Sequence, residues 1–187
     1  MTTPLHALNA AGQSIWLDYI DRTMLHNGEL ERRIRDEALT GMTSNPTIFE
    51  KALAQGTAYD AQITAATNVT NAWAMFELVE TDDVRRACDL FRPVYERTSG
   101  EDGYVSIEVS PGAAHDAAAT VAEANRLWKT VDRPNVMIKV PGTPEGAIAL
   151  RRLIADGINV NVTLLLDRKS TRLNSSHIPL SRMPSSA

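Results

Sequence analysis

Cysteine is almost missing from this sequence: Cys88 is the single one in 187 residues. That excludes an internal disulfide and a cysteine-based metal site, and it suits a reducing compartment. Cys88 itself is expected half-buried on a helix. Basic charge is also short, with 19 Lys and Arg against 23 Asp and Glu for a net of −4, and no basic cluster occurs in the first 160 residues. A nucleic acid or an anionic membrane surface is therefore not the expected partner; a small molecule is. Long apolar runs are lacking too. No segment reaches the roughly 18 apolar residues of a membrane span, and the opening MTTPLHALNAAGQSIW has neither the basic start nor the apolar stretch of a signal peptide. The expected location is the cytoplasm. Histidines are few and scattered, His6, His26, His115 and His177, without metal-ligand spacing. No Gly-x-Gly-x-x-Gly follows the first strand, which argues against a dinucleotide fold.

What is present is a soluble globular composition, 43% hydrophobic and 22% charged, in a chain long enough for one domain with a core. Short β-like runs alternate with longer helical patterns. Strands are expected at 14–20, 40–45, 103–109, 135–140 and 158–166. Helices are expected at 28–39, with its ERRIRDE run as a solvated face, at 71–97 with a break near Pro93, at 116–131 with a stripe of Val121, Ala124, Trp128 and Val131, and at 144–157. The last carries Pro144 at its start, Gly157 at its end and Ala147, Leu150 and Ile154 on one face. Trp16, Trp73 and Trp128 read as core or interface residues. Parallel strands with helical crossovers predict an α/β fold, an incomplete (β/α)8 TIM barrel with about five of its eight strands.

From Asp167 the text changes. DRKSTRLNSSHIPLSRMPSSA has six serines, two prolines and a net charge of +3, with no helical or strand period, and it resembles a translated sequencing-library adapter. The expected division is a folded segment at 1–166 and a non-native, disordered tail at 167–187. On that reading the natural gene continues past Leu166 with other residues.

Side chains of a strand alternate between its faces. Val136, Ile138 and Val140 therefore lie opposite Met137 and Lys139, and the apolar side must meet the helices. Lys139 is left pointing into the barrel. The same test turns Asp18, Ser106, Glu108, Asn159, Asn161 and Thr163 inward. A barrel interior built for stability alone is layered with Val, Ile and Leu. A lysine among carboxylates, asparagines and a threonine calls for another reason, and a catalytic site at the C-terminal mouth supplies one. A structural ion pair of Lys139 with Glu108 or Asp18 is the plainer alternative. The functional reading is a Schiff-base lysine, because a desolvated site favours the neutral amine and only that form attacks a carbonyl. Asp18 and Glu108 would carry the protons.

GMTSNPTIFEKAL (41–53) and MIKVPGTPEGAIALRRLIADGINVNVTLLL (137–166) resemble the two sequence signatures of the transaldolase family. The resemblance covers nearly all of residues 5–166. It implies a single (β/α)8 barrel without metal or organic cofactor, with Lys139 as the Schiff-base lysine and Asp18 as acid/base at the substrate's C4 hydroxyl. Glu108 and Thr163 would hold a catalytic water, and Asn45 and Asn161 would bind substrate hydroxyls. The implied reaction moves a dihydroxyacetone unit from sedoheptulose 7-phosphate to glyceraldehyde 3-phosphate in the pentose phosphate pathway. The alternatives are a class I sugar-phosphate aldolase and an inactive truncated product. The resemblance stops at Leu166, before the later strands and the phosphate ligands expected on them. Five strands alone would leave two unpaired edges, with Asp18, Glu108 and Lys139 facing water. Oligomeric state is not legible.

Overall fold

The computed structural model describes residues 3–44, 46, 49–50, 53, 57–69, 71–164 and 178–179. Asn45 and most of the tail beyond Leu164 lie outside them. Five strands, β1 (Trp16–Leu17), β2 (Gly41–Thr43), β3 (Tyr104–Glu108), β4 (Val136–Pro141) and β5 (Val160–Thr163), neighbour one another in chain order. Parallel register pairs Trp16 with Gly41 and Lys139 with Asn161. The helices are α1 (Pro4–Ala10), α2 (Arg22–His26), α3 (Glu29–Asp36), α4 (Asp60–Ala65), α5 (Ala72–Arg97), α6 (Ala117–Val131) and α7 (Pro144–Ala155). Sequential parallel strands with helical crossovers are the arrangement of part of a (β/α)8 barrel, the fold class the alternation predicts. A two-residue strand, β6 (Ile178–Pro179), pairs antiparallel with β5. The lack of strand period in that stretch gave no hint of it, and it covers part of an edge expected to be bare.

The chain forms two compact units, one of residues 1–105 with 131–136 and one of 106–130 with the residues from 137 onward. In the first, α5 begins at Asn71, whose side-chain oxygen accepts the Ala74 N–H at 2.8 Å, and it buries Val84, Ala87, Cys88, Phe91 and Val94. It runs unbroken through Pro93. A mid-helix proline removes one hydrogen bond and crowds the turn before it. Phe91 and Val94, on either side of it, are buried. The Asn135 amide donates to the carbonyls of Cys88 at 2.9 Å and Gly103 at 2.8 Å, tying α5 to the strand starts. Nearby, Asp83 takes the Arg22 Nε–H at 2.8 Å and the Tyr59 hydroxyl at 2.9 Å. Burial pushes the Asp83 carboxyl up, against the opposing pull of Arg22 and Tyr59.

Two further expectations fail in this unit. β1 has two residues rather than seven, so alternation does not extend along 14–20: Tyr19 is exposed, Asp18 is exposed and Ile20 is buried. Trp73 is 46% exposed and stacks on Phe76, which excludes the core alternative of its core-or-interface reading and leaves the other. Cys88 is fully buried rather than half-buried, and burial pushes its thiol well above the ordinary range. Since the thiolate is the reactive form, Cys88 in the native protein should resist iodoacetamide at pH 8 and alkylate promptly in denaturant. Rapid native labelling, followed by mass spectrometry, would contradict the packing of α5.

Every residue of β4 and β5 is buried, and all but Val136 belong to the second unit. Helix α7 starts at Thr143, whose hydroxyl accepts the Gly146 N–H at 2.9 Å and donates to the Ala114 carbonyl at 2.7 Å, with Pro144 in the first turn. It ends as expected at Gly157: the Ile158 N–H reaches the Leu153 carbonyl and the Gly157 N–H the Ile154 carbonyl, each at 3.0 Å, which is the paired closure of a Schellman motif. Its buried stripe, however, is Gly146, Ala149 and Leu153, while Ala147 and Ile154 are exposed. The cause is Gly146, where a Cβ would fall inside the Pro141 carbonyl oxygen. That close approach sets the phase of the helix, and a count of apolar side chains cannot see it. In α6 the buried positions are Thr120, Ala124, Leu127 and Val131, so Ala124 and Val131 of the expected stripe are core, while Val121 and Trp128 are half-buried.

Candidate active site

Within the second unit, β3, β4 and β5 bring one set of polar side chains to a common face. Lys139 stands beside its register partner Asn161, and Pro141 beside Thr163. On the other flank the Val109 N–H donates to the Lys139 carbonyl at 3.2 Å. The alternation that placed Lys139, Asn161, Thr163, Glu108 and Ser106 on one side follows from this register.

Lys139 is 3% exposed, and its Nζ lies 3.1 Å from Glu108 Oε2. The Glu108 side chain is the more open of the two, 24% exposed against 4% for the lysine. A buried ammonium needs such a partner, and the same carboxylate is placed to take a proton from the amine. The expectation that Lys139 would face water in a five-stranded chain is overturned by its burial. Asn161 is 1% exposed, and its Nδ2 donates to Ser106 Oγ at 3.0 Å. Its Oδ1, like Thr163 Oγ1, is buried without a hydrogen-bond partner among the described residues. An unmatched buried polar atom costs roughly 1–3 kcal/mol, and two of them beside a buried lysine form a face suited to hydroxyl groups.

Two residues of the unit were underread. Ser106 turns inward by alternation but had no assigned role; its hydroxyl receives Asn161. Thr143, next to Pro144, is a helix-start signal that also anchors the loop after β4. Asp18 belongs to the first unit, exposed just beyond β1, and Asn45 lies outside the described residues. Among the described residues, no group of three or more His, Cys, Asp or Glu gathers as a metal site, and no helix is long and apolar enough to cross a membrane.

A family profile described as transaldolase/fructose-6-phosphate aldolase matches residues 15–174, running past the boundary at 166 drawn from composition. Among curated proteins, the transaldolase of Trichodesmium erythraeum is 47% identical over 171 residues, covering 91% of this chain and 45% of that protein. The transaldolase of Mycolicibacterium smegmatis is 49% identical over 170 residues, covering 90% of this chain and 46% of the relative. For the transaldolase of Thermobifida fusca the figures are 48% over 173 residues, 92% and 47%. The chain thus spans about half the length of the curated relatives it matches.

Proposed function

This chain belongs to the transaldolase/fructose-6-phosphate aldolase family, and from that premise we propose that the intact protein transfers a dihydroxyacetone unit between sugar phosphates through an imine on Lys139. The observation that carries the reading is the 3% exposed Lys139 with Nζ 3.1 Å from Glu108 Oε2, on one face with unmatched acceptors of Asn161 and Thr163. The Lys139 amine adds to the ketose C2 carbonyl, and loss of water leaves the imine. Asp18 removes the C4 hydroxyl proton as the C3–C4 bond breaks, the aldehyde departs, and the bonding electrons pass into an enamine. That enamine attacks the acceptor aldehyde, the new alkoxide takes the proton back, and water held by Glu108 and Thr163 hydrolyses the product imine. Asn45 and Asn161 bind donor hydroxyls. The roles of Asp18 and Asn45 rest on the sequence resemblance alone. The proposed setting is the cytoplasmic pentose phosphate pathway, with sedoheptulose 7-phosphate as donor and glyceraldehyde 3-phosphate as acceptor.

A sugar-phosphate aldolase would share the imine, and the family description names both activities. A coupled assay separates them: transfer yields fructose 6-phosphate and erythrose 4-phosphate, whereas an aldolase releases free dihydroxyacetone from fructose 6-phosphate without an acceptor. Release without transfer would replace this reading by the aldolase. The carboxylates should also divide by step. Asp18→Ala should lose cleavage by about 10²-fold or more while still forming imine, and Glu108→Gln should slow imine formation itself. Glutamine is the better probe at 108 because it leaves the buried ammonium an oxygen. Single-turnover borohydride trapping reads the difference; equal loss of imine in both variants would refute the split.

A further inference from the structure

An asparagine amide has a donor end and an acceptor end, and which of them faces a ligand decides what the ligand must offer. At Asn161 the amide nitrogen is turned inside the protein, donating to Ser106 Oγ at 3.0 Å, and the other end is Oδ1, buried and unmatched among the described residues. Both residues are enclosed, Ser106 at 0% and Asn161 at 1% exposure, and Asn161 is the register partner of Lys139. The geometry points to Ser106 as the positioning residue that turns the Asn161 amide oxygen toward the reacting face, so that this position accepts a hydrogen bond from a substrate hydroxyl. This rests on the reading of that face as the ketose site.

The reasoning is one of rotation. A terminal amide torsion is broad and roughly two-fold, so nothing in the asparagine itself chooses between its two ends. In the structure Ser106 Oγ accepts from the nitrogen, and that arrangement leaves the oxygen for the ligand. Remove its hydroxyl and the amide loses its partner; it can then turn its nitrogen outward, and the ketose hydroxyl meets a donor where it needs an acceptor. The chemistry at Nζ is untouched. A ketone without sugar hydroxyls beyond its first carbon should not register the change.

The test uses the intact protein with Ser106→Ala, Ser106→Thr and wild type, against fructose 6-phosphate and hydroxyacetone. In Ser106→Ala the KM for fructose 6-phosphate should rise roughly tenfold, the worth of about one positioned hydrogen bond, with kcat less affected. Borohydride trapping of hydroxyacetone at Lys139 should stay within about twofold of wild type, since the lost bond is not at the amine. Ser106→Thr, which keeps the hydroxyl, should restore most of the KM. An unchanged KM in Ser106→Ala, equal impairment of the threonine variant, or a parallel fall with hydroxyacetone would overturn the proposal. If the alanine variant does not fold, Ser106→Cys, close in volume and a weak acceptor, is read the same way. Asparagine-selective ¹⁵N labelling supplies a readout independent of turnover. The Asn161 side-chain NH₂ signals should shift and exchange faster in Ser106→Ala, and identical signals would sink the role of Ser106. Absence of any Lys139 adduct in wild type would instead sink the Schiff-base reading, leaving the amide signals to judge Ser106 alone.

Discussion

Lys139→Arg should abolish transfer in the intact protein while leaving its fold unharmed, and Lys139→Met should abolish it as well. The arginine variant is the informative one. It preserves a cation for Glu108, 3.1 Å from Nζ, so a lysine kept only as an ion-pair partner would be largely replaced. A guanidinium, however, does not give up a proton in proteins and cannot act as the amine nucleophile. Loss of a covalent nucleophile is expected to lower kcat on the order of 10⁴-fold or more. In Lys139→Met the carboxylate loses its counter-charge, but Glu108 is part-exposed at 24% and retains access to solvent, so the fold should survive. Borohydride with fructose 6-phosphate should place the adduct on the peptide containing Lys139 in wild type and nowhere in either variant. Turnover by the arginine variant, or an adduct on another lysine, would reduce Lys139 to a structural ion pair. Assaying the 187-residue chain beside the intact protein belongs to the same experiment. We propose that the shorter chain does not transfer, and measurable activity in it would disprove that.

Gly146→Ala should destabilise the protein by roughly 3 kcal/mol, toward the upper end of overpacking costs. The sign is what makes the prediction sharp. At an ordinary helix position alanine is better than glycine by about 1 kcal/mol. Here the added methyl meets the Pro141 carbonyl oxygen, a backbone atom, with the Thr143 hydroxyl also 3.1 Å away. Neither can swing aside as the end of a long side chain could. Relief requires α7 to lift from the end of β4, which also disturbs the Thr143 cap and its bond to Ala114. The shift should appear as a lower urea midpoint at constant slope. A variant as stable as wild type, or more so, would show that α7 does not sit on Pro141.

These two residues also mark how far the sequence could be read. Lys139 was legible because a charged group in an apolar strand breaks a period-2 pattern, and the pattern held over the four to six residues of β4 and β5. The same logic placed Asn161, Thr163 and Glu108 beside it. It does not reach Asp18, because β1 lasts two residues, too short to carry an alternating frame to its neighbours. Gly146 was illegible for the opposite reason: the contact that phases α7 is made by an absent side chain, which no apolar periodicity counts. Pro93 misled through propensity: proline disfavours a helix interior, but the helix continues through it between the buried Phe91 and Val94, and burial by tertiary neighbours is not written in the local sequence. The direction of the Asn161 amide was beyond reach, because it depends on a serine 55 positions away.

The enclosure of β4 on both faces has a consequence for how such a gene can drift. A strand with one wet side accepts neutral replacements at every second position, and its text erodes between the fixed letters. From Val136 to Pro141 no position is free in that sense: the even residues are held by packing and the odd ones by packing or chemistry. Such a stretch diverges as a block or hardly at all. A short run around one buried lysine can thus outlast the helices flanking it as a mark of descent.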